Sequence, residues 1–469
     1  MENDLYRRCI EQLKSWTRAA SRGVMVLRGA RQVGKTTLIR LLAKELGLTL
    51  IEVNLEDTPS FAGMLDKHSN AKEILELLLL EKGVTDNPEN VLFFFDEIQE
   101  LPGFYNYLRY FKELAHEYKV IAAGSLLELE IQKEKKRQGP SGRVEFAYLD
   151  PMTFEEFILA ANPVAHKKLT NLDLLEPIGS SLHGIFYSLY KQYMVCGGMP
   201  AAVEAFVNGE GVLRVDKIKN NLLTGYINDF ADFGELSGRK YDPELLELIF
   251  RQVYGNPCNT MTLSKLAPGF RADKIRGHLD ILIKSKLIRR SVHTHENKPP
   301  LFNGADKHSH KLFALDVGLC YSYMGLLPQE VYGSGDINSV AEGAMAEQFA
   351  AQTIQSVPPH YKAKSLYHWE RKKKNAVSEV DFVTTLDSII VPIECKSGHS
   401  NKMESLKIML GTKAYSLALR LYAGDIGYGT IKPRGEQIDL KEVPLISMPH
   451  YMLERFIHEF IKISAKIGS

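Results

Sequence analysis

Hydrophobic residues in the first third of the chain come in short runs, VMVL, LTLIEVNL, VLFFF, KVIAAG and VEFAYL, interleaved with helical patterns such as TTLIRLLAKEL and FYNYLRYFKELAHEY. This alternation predicts a parallel sheet wrapped by helices over residues 1–150. After Pro151 the strand signal fades. MTFEEFILA, GIFYSLYKQYMV and AAVEAFV repeat apolar positions at helical spacing, broken by Pro163, Pro177 and the Gly197-Gly198 pair, and predict a helical extension over 151–240. Over 241–335, PELLELIFRQVY, TLSKLA and ADKIRGHLDILIKSKL predict three helices, with IRRSVHTH and KLFALDVG as a two-stranded ribbon behind them. Residues 336–469 open with the helix AEGAMAEQFAAQTI. They continue as an α/β unit of YHWER, EVDFVTTLD, IIVPIECKS, a helix around 402–410, LALRLYA and a closing helix ERFIHEFIKI.

A length of 469 residues, with 45% hydrophobic and 25% charged positions, suits about three globular domains and excludes disordered or collagen-like classes. The five cysteines stand far apart with no CxxC or CxxH pair, which argues against a zinc cluster or a disulfide framework and for a reducing compartment. The apolar runs are too short to span a bilayer and the opening MENDLYRRCI has no apolar leader core, so a cytoplasmic protein without a membrane partner is expected. The formal charge of +1 conceals segregation. Residues 52–100 carry twelve acids against three lysines, whereas 264–311 carry eleven basic residues against four acids.

Between a strand and a helix, Gly29-Ala30-Arg31-Gln32-Val33-Gly34-Lys35-Thr36, followed by Thr37, fits GxxxxGK[ST]. Glycines let backbone N–H groups close on phosphates, Lys35 reaches the β- and γ-phosphates, and Thr36 holds Mg²⁺, so ATP and Mg²⁺ are the expected cofactors. VLFFFDEIQ ends an apolar strand in Asp96, a second Mg²⁺ ligand, and Glu97, which can polarise the attacking water. Ser125 ends the next strand, where it could sense the γ-phosphate or serve only as a turn residue. Arg143 could act as an arginine finger, in cis or toward a neighbouring subunit, or be a surface arginine.

Taken together, LRGARQVGKTTLIRLL, FFFDEIQELPGF, AAGSLLELE, SGRVEFAYLDPMTFEEF and CGGMP resemble a family of bacterial and archaeal AAA+ superfamily ATPases. In that family a C-terminal domain of unknown function has a restriction-endonuclease-like core. The resemblance implies a five-stranded P-loop sheet whose Asp96 strand is separated from the phosphate-loop strand by one other. It also implies roles for Lys35, Thr36, Asp96, Glu97 and Ser125 in nucleotide, Mg²⁺ and catalysis.

Three helices and a ribbon describe a winged helix-turn-helix, and the basic surplus over 264–311 suits a phosphate backbone, although winged helices also serve protein contacts. In the last unit Asp381 lies in one strand and Glu394 and Lys396 on one face of the next. Two carboxylates could hold Mg²⁺ while the lysine stabilises developing charge. The set resembles the PD-(D/E)xK nuclease signature, with Val380 in place of its proline and Glu347 as a further candidate metal ligand. The opposing reading is a retained fold in which these charges satisfy one another. Arg371 to Lys374 could meet nucleic acid or form a solvated tip, and His293, His295, His308 and His310 pair at i, i+2 without a third ligand. Two functions follow. One is ATP-driven action on DNA with phosphodiester cleavage; the other is a nucleotide-controlled switch for a protein partner, with a non-catalytic nuclease-like scaffold. Both allow oligomerisation.

Overall fold

A computed structural model of the chain describes all residues except 1–4, 59, 68–69, 130–138, 232, 234–240, 260, 327–338, 374–375, 401, 436–440 and 469. A basic run, KEKKR at 133–137, and Lys374 lie outside the described residues, as do the side chains of Lys307, His308, Lys372 and Lys373.

After helix α1 (Cys9–Arg18), strand β1 (Val24–Arg28) leads through the phosphate-loop motif into α2 (Lys35–Leu46). Strands β2 (Thr49–Asn54), β3 (Val91–Asp96), β4 (Lys119–Gly124) and β5 (Val144–Tyr148) complete a parallel sheet in the order β2-β3-β4-β1-β5. β3 and β4 are buried at every position, which explains their unbroken apolar runs, whereas the edge strands β2 and β5 alternate. The pleat divides β3 between two cores. Leu92 and Phe94 pack toward α1 and α2, while Phe93 and Phe95 face α3 (Ser60–Lys67), α4 (Ala71–Lys82) and α5 (Phe104–Leu114). Phe95 centres an aromatic cluster with Phe61, Phe104 and Phe111 at centroid distances of 5.7, 5.1 and 5.4 Å. Each such ring contributes about 1.5–3 kcal/mol by burial alone.

Helices α6 (Phe154–Ala161), α7 (Pro163–Thr170), α8 (Ser180–Cys196), α9 (Pro200–Val207) and α10 (Val212–Asn228) form the helical extension. Thr153 and Glu156 make a reciprocal capping box that starts α6. The CGGMP motif has a steric cause: a Cβ on Gly197 would stand 2.1 Å from Asp316 Oδ1, and one on Gly198 2.1 Å from the Met152 carbonyl. That clearance admits the buried Asp316 carboxylate, which accepts from Gly198 N (2.7 Å), Leu319 N (3.1 Å) and Gln352 Nε2 (2.9 Å). It thereby ties the extension to the helices that carry Leu319 and Gln352.

Three helices, α11 (Pro243–Gly255), α12 (Leu263–Leu266) and α13 (Ala272–Lys284), precede an antiparallel ribbon of β6 (Ile288–Thr294) and β7 (Ala305–Ala314). Then come α14 (Val317–Tyr323) and α15 (Ser339–Ser356). The ribbon is not a free wing. β6 also pairs in parallel with β8 (Leu366–Lys373), which pairs with β9 (Ala376–Val380), so one four-stranded sheet runs β7-β6-β8-β9 across the expected domain border. A local pattern shows that a strand exists but not which edge it offers to a distant partner.

The last sheet is β10 (Phe382–Leu386), β11 (Ile389–Cys395), β12 (Ala418–Tyr422), β14 (Val443–Pro449) and β13 (Gly427–Ile431), in that spatial order. β13 and β14 escape the sequence reading because one is GYGTI, with two glycines, and the other carries prolines at two positions. Helix α16 (Glu404–Leu410) packs beside β9, and the closing helix is two helices, α17 (Leu453–His458) and α18 (Phe460–Gly468). α17 returns to the start of the extension, where Glu454 accepts from Thr153 Oγ1 (2.9 Å) and Glu155 N (3.1 Å). All five cysteines are buried and unpaired, and among the described residues no helix is long and apolar enough to cross a membrane.

Candidate functional site

The phosphate loop leaves β1 at the carboxyl edge of the sheet. Gly29 is pressed against β5, where a Cβ would lie 2.2 Å from the Leu149 carbonyl oxygen. Gln32 (φ 63°) and Gly34 (φ 91°) take left-handed backbone, curling Ala30 to Val33 above the first turn of α2. Lys35 is buried and donates to the carbonyls of Ala30 (2.9 Å) and Gly29 (3.3 Å). Burial lowers its ammonium pKa, opposed by Glu97 and Asp96.

The other candidates converge from neighbouring strands. Thr36 Oγ1 donates to Asp96 Oδ2 at 2.5 Å, joining the start of α2 to the end of β3. Burial raises the Asp96 pKa, with the Thr36 hydrogen bond working against it. Glu97 sits in a left-handed turn (φ 50°), and its Oε2 accepts from Gln99 Nε2 (2.7 Å) and Ser125 Oγ (3.2 Å). Thr36 and Asp96 offer hard oxygen donors side by side, so the pair fits a Mg²⁺ site. A cavity of about 680 Å³, within the range of small-ligand sites, is lined by Lys35, Thr36, Thr37, Arg31, Gln32 and Glu97, and on the extension side by Pro200 and Glu204.

Three participants carried no sequence signal. Arg7 is buried beneath the loop, donating Nη1 to the Val33 carbonyl (2.7 Å) and Nη2 to the Asp150 carbonyl (2.5 Å), with Nε on Glu156 (3.1 Å). From α10 and its end, Tyr226 donates to the Arg31 carbonyl (3.0 Å) and Asp229 pairs with the Arg31 guanidinium (2.8 Å). These contacts clamp the loop between the amino-terminal segment and the helical extension. Arg143 is a correction. It precedes β5 at the amino edge of the sheet, its carbonyl accepting from Val24 N, and its exposed guanidinium pairs with Glu113 at 3.0 Å. The parallel register sets it at the opposite end from the loop, which removes a finger acting in cis.

In the last domain the candidate acids meet a residue that was read as part of a basic surface. Lys311 of β7 is buried, with Nζ 2.5 Å from Glu347, 2.6 Å from Glu379 and 3.3 Å from Asp381. Asp381 Oδ2 also accepts from Cys395 N (2.8 Å), and Lys396 Nζ donates to Glu394 Oε1 (2.6 Å). Burial, followed by the charge of Asp381, pushes Glu347 up to about 8 and Glu394 up to about 7, against their lysines. The residues fit a Mg²⁺ ion poorly because an ammonium already stands among them. Glu379 was missed: adjacent to the motif, it became relevant only once Lys311 arrived from another sheet edge. His293 Nε2 contacts His295 Nδ1 at 3.1 Å, but among the described residues neither belongs to a group of three metal-ligand atoms within 4.8 Å; Glu155, Glu454 and His458 form that group. Arg8 lies against this group, on Glu155 (2.5 Å) and His458 (2.7 Å).

Much of the basic surplus over 264–311 is spent internally. Lys274 pairs with Asp242 (2.8 Å), Arg289 with Asp150 (3.1 Å) and Arg290 with Asp280 (3.7 Å). Basic side chains, several of them in those pairs, gather where the ATPase sheet meets α13 and β6. There a cleft of about 220 Å³ is lined by Arg28, Lys286, Arg289, Arg290, Lys362 and Lys364, with Asp150 as its one acid among the described residues. Arg28 Nε is buried without a partner, and burial pushes the Lys364 ammonium down to about 8.

Comparisons with known proteins agree with the first domain. Residues 21–158 match the family described as AAA domain, 187–330 match a domain of unknown function (DUF8612), and 342–443 match a domain of unknown function (DUF4143). No curated protein matches. Among solved structures, the Aeropyrum pernix ORC1 protein in complex with DNA is 13% identical over 69% of this chain and 92% of that one (TM-score 0.27). The Thermotoga maritima RuvB Holliday junction branch migration motor is 16% identical over 60% and 88% (TM-score 0.26), and AMPPCP-bound DnaA from Aquifex aeolicus 17% over 59% and 86% (TM-score 0.25). At such TM-scores these likenesses carry no argument. The AAA match, the parallel sheet and the loop make the first domain an AAA-type ATPase fold that binds ATP.

Proposed function

We propose that this protein hydrolyses ATP with Mg²⁺ and couples its nucleotide state to nucleic-acid binding by the helix-and-ribbon module. The observation that carries the nucleotide half is the convergence of Lys35, Thr36, Asp96, Glu97 and Ser125 at one sheet edge. Backbone N–H groups of Gly29 to Thr37 cradle the phosphates, and Lys35 exchanges its loop carbonyls for phosphate oxygens. Thr36 and Asp96 would hold a Mg²⁺ ion, which would supply positive charge to the transferring phosphoryl group. Glu97 orients water toward the γ-phosphorus and takes its proton as ADP leaves. Ser125, hydrogen-bonded to Glu97, registers whether the γ-phosphate is present. Arg143 remains a candidate finger toward a neighbouring subunit.

The nucleic-acid half is supported by the cleft at the junction of the two modules, which begins at Arg28, one residue before the loop, and continues to Lys286 and Arg290 behind α13. Fluorescence anisotropy with single- and double-stranded DNA, with and without ATP, tests this. Binding should be nucleotide-dependent and salt-sensitive, and should weaken in Lys286→Ala, Arg290→Ala and Lys362→Ala, whereas absence of binding at low salt sinks the proposal. A specific observation favours the second reading for the last domain. Lys311 among the acids supports a nuclease-like scaffold that does not cleave phosphodiesters and serves a protein partner. A stoichiometric protein retained through purification, in place of nucleic acid, would favour that reading for the whole chain.

A further inference from the structure

Lys311 leaves β7 and ends among three carboxylates held by three other segments: Glu347 on α15, Glu379 on β9, and Asp381 between β9 and β10. At 2% exposure its ammonium has given up water, and an uncompensated charge there would be untenable. The acids are spaced for an ammonium. A Mg²⁺ ion with donors at about 2.1 Å would bring them within roughly 4.2 Å of one another. Among the described residues, no three ligand atoms from Glu347, Glu379, Asp381 and Glu394 lie within 4.8 Å. A second observation shows that the acids of this cluster outnumber its cations. Glu394 is 4% exposed, its Oε2 is buried without a partner, and it sits on β11 next to the peptide N–H that Asp381 holds. Four acids thus share two lysines, Lys311 and Lys396.

We propose that Lys311 is the resident cation of this cluster. Its ammonium stands where a divalent ion would, so the centre takes up no Mg²⁺ or Mn²⁺ while β7 is in place. A neutral side chain at 311 turns the same carboxylates into a divalent-cation site. The four-stranded sheet holds the plug, because β6 pairs on one side with β7, which carries Lys311, and on the other with β8, whose partner β9 carries Glu379. Cleavage by this centre therefore requires the ammonium to withdraw. The inference does not rest on nucleotide coupling, since none of its residues lines the nucleotide cavity.

Mn²⁺ titration followed by electron paramagnetic resonance tests it on the full-length, nucleotide-free protein, comparing wild type, Asp381→Asn, Lys311→Met and the double variant. Wild type and Asp381→Asn should bind Mn²⁺ equally. Lys311→Met should gain one site, tighter by roughly tenfold or more once a like charge at contact distance is gone, and the double variant should lose it. Wild-type binding that Asp381→Asn abolishes overturns the proposal, as does a folded Lys311→Met with no gain. Should Lys311→Met not fold, Lys311→Gln takes its place and the wild-type comparison with Asp381→Asn still decides.

Discussion

Replacing Arg7 by methionine keeps the apolar stem and deletes the guanidinium under the phosphate loop. Three contacts go at once: the ion pair with Glu156 at 3.1 Å and the donations to the Val33 and Asp150 carbonyls. Breaking a buried ion pair by removing one partner costs about 3–5 kcal/mol. Glu156 keeps two backbone donors, Thr153 N at 3.0 Å and Arg8 N at 2.6 Å, which places the loss near the lower end, about 3 kcal/mol. The chain has two tryptophans, and in a Trp369→Phe background Trp16 of α1 reports unfolding of the ATPase domain alone. Urea unfolding monitored at Trp16 should therefore shift by that amount. A fluorescent ATP analogue should bind about tenfold more weakly, because the Val33–Gly34 peptide loses its anchor. A double-mutant cycle with Glu156→Gln should give a coupling of about 1–3 kcal/mol. A stability loss below about 1 kcal/mol with unchanged nucleotide binding would refute the role assigned to this side chain.

Glu97→Gln should lower phosphate release by about 10²–10⁴-fold with nucleotide affinity nearly kept, and Ser125→Ala should do so to a lesser degree, as steady-state turnover beside analogue binding will tell. Gly29→Ala should cost about 2 kcal/mol or more and abolish nucleotide binding, since its Cβ would strike the Leu149 carbonyl. Gly63→Ala, in open space on α3, should be neutral or stabilising by about 0.5–1 kcal/mol, and denaturation of both variants checks the contrast. Burial holds His450 down at about 4, and neither ring nitrogen has a hydrogen-bond partner. The unfolded chain thus binds a proton that the native state refuses, so stability is complete above about pH 6.5 and falls as pH drops toward 4, by about 3 kcal/mol from this residue. Urea midpoints measured across that window should flatten in His450→Phe; an unchanged slope would remove His450 as a source.

Much of the first domain was legible because its signals are local. β3 and β4 are buried on both faces and so read as unbroken apolar runs, and the GxxxxGK[ST] spacing needs only a strand before it and a helix after it. Asp96 and Glu97 follow at the end of a strand for the same reason. The last domain was legible as strands around Asp381 and Glu394, while glycine- and proline-marked β13 and β14 were not.

What the chain determines by itself is therefore the set of elements and the residue types at each strand end. The tertiary structure decided which of those residues meet. Arg7 reaches Val33 and Glu156 across 26 and 149 residues, and Lys311 reaches Glu379 and Asp381 across 68 and 70. The register of β5 removed Arg143 from its own nucleotide, and the β6–β8 pairing made the expected wing a support for a buried cation. Periodicity records how each segment faces water. It carries no record of which distant charge will neutralise a given carboxylate, because that is settled by desolvation and pairing only after the sheets have packed.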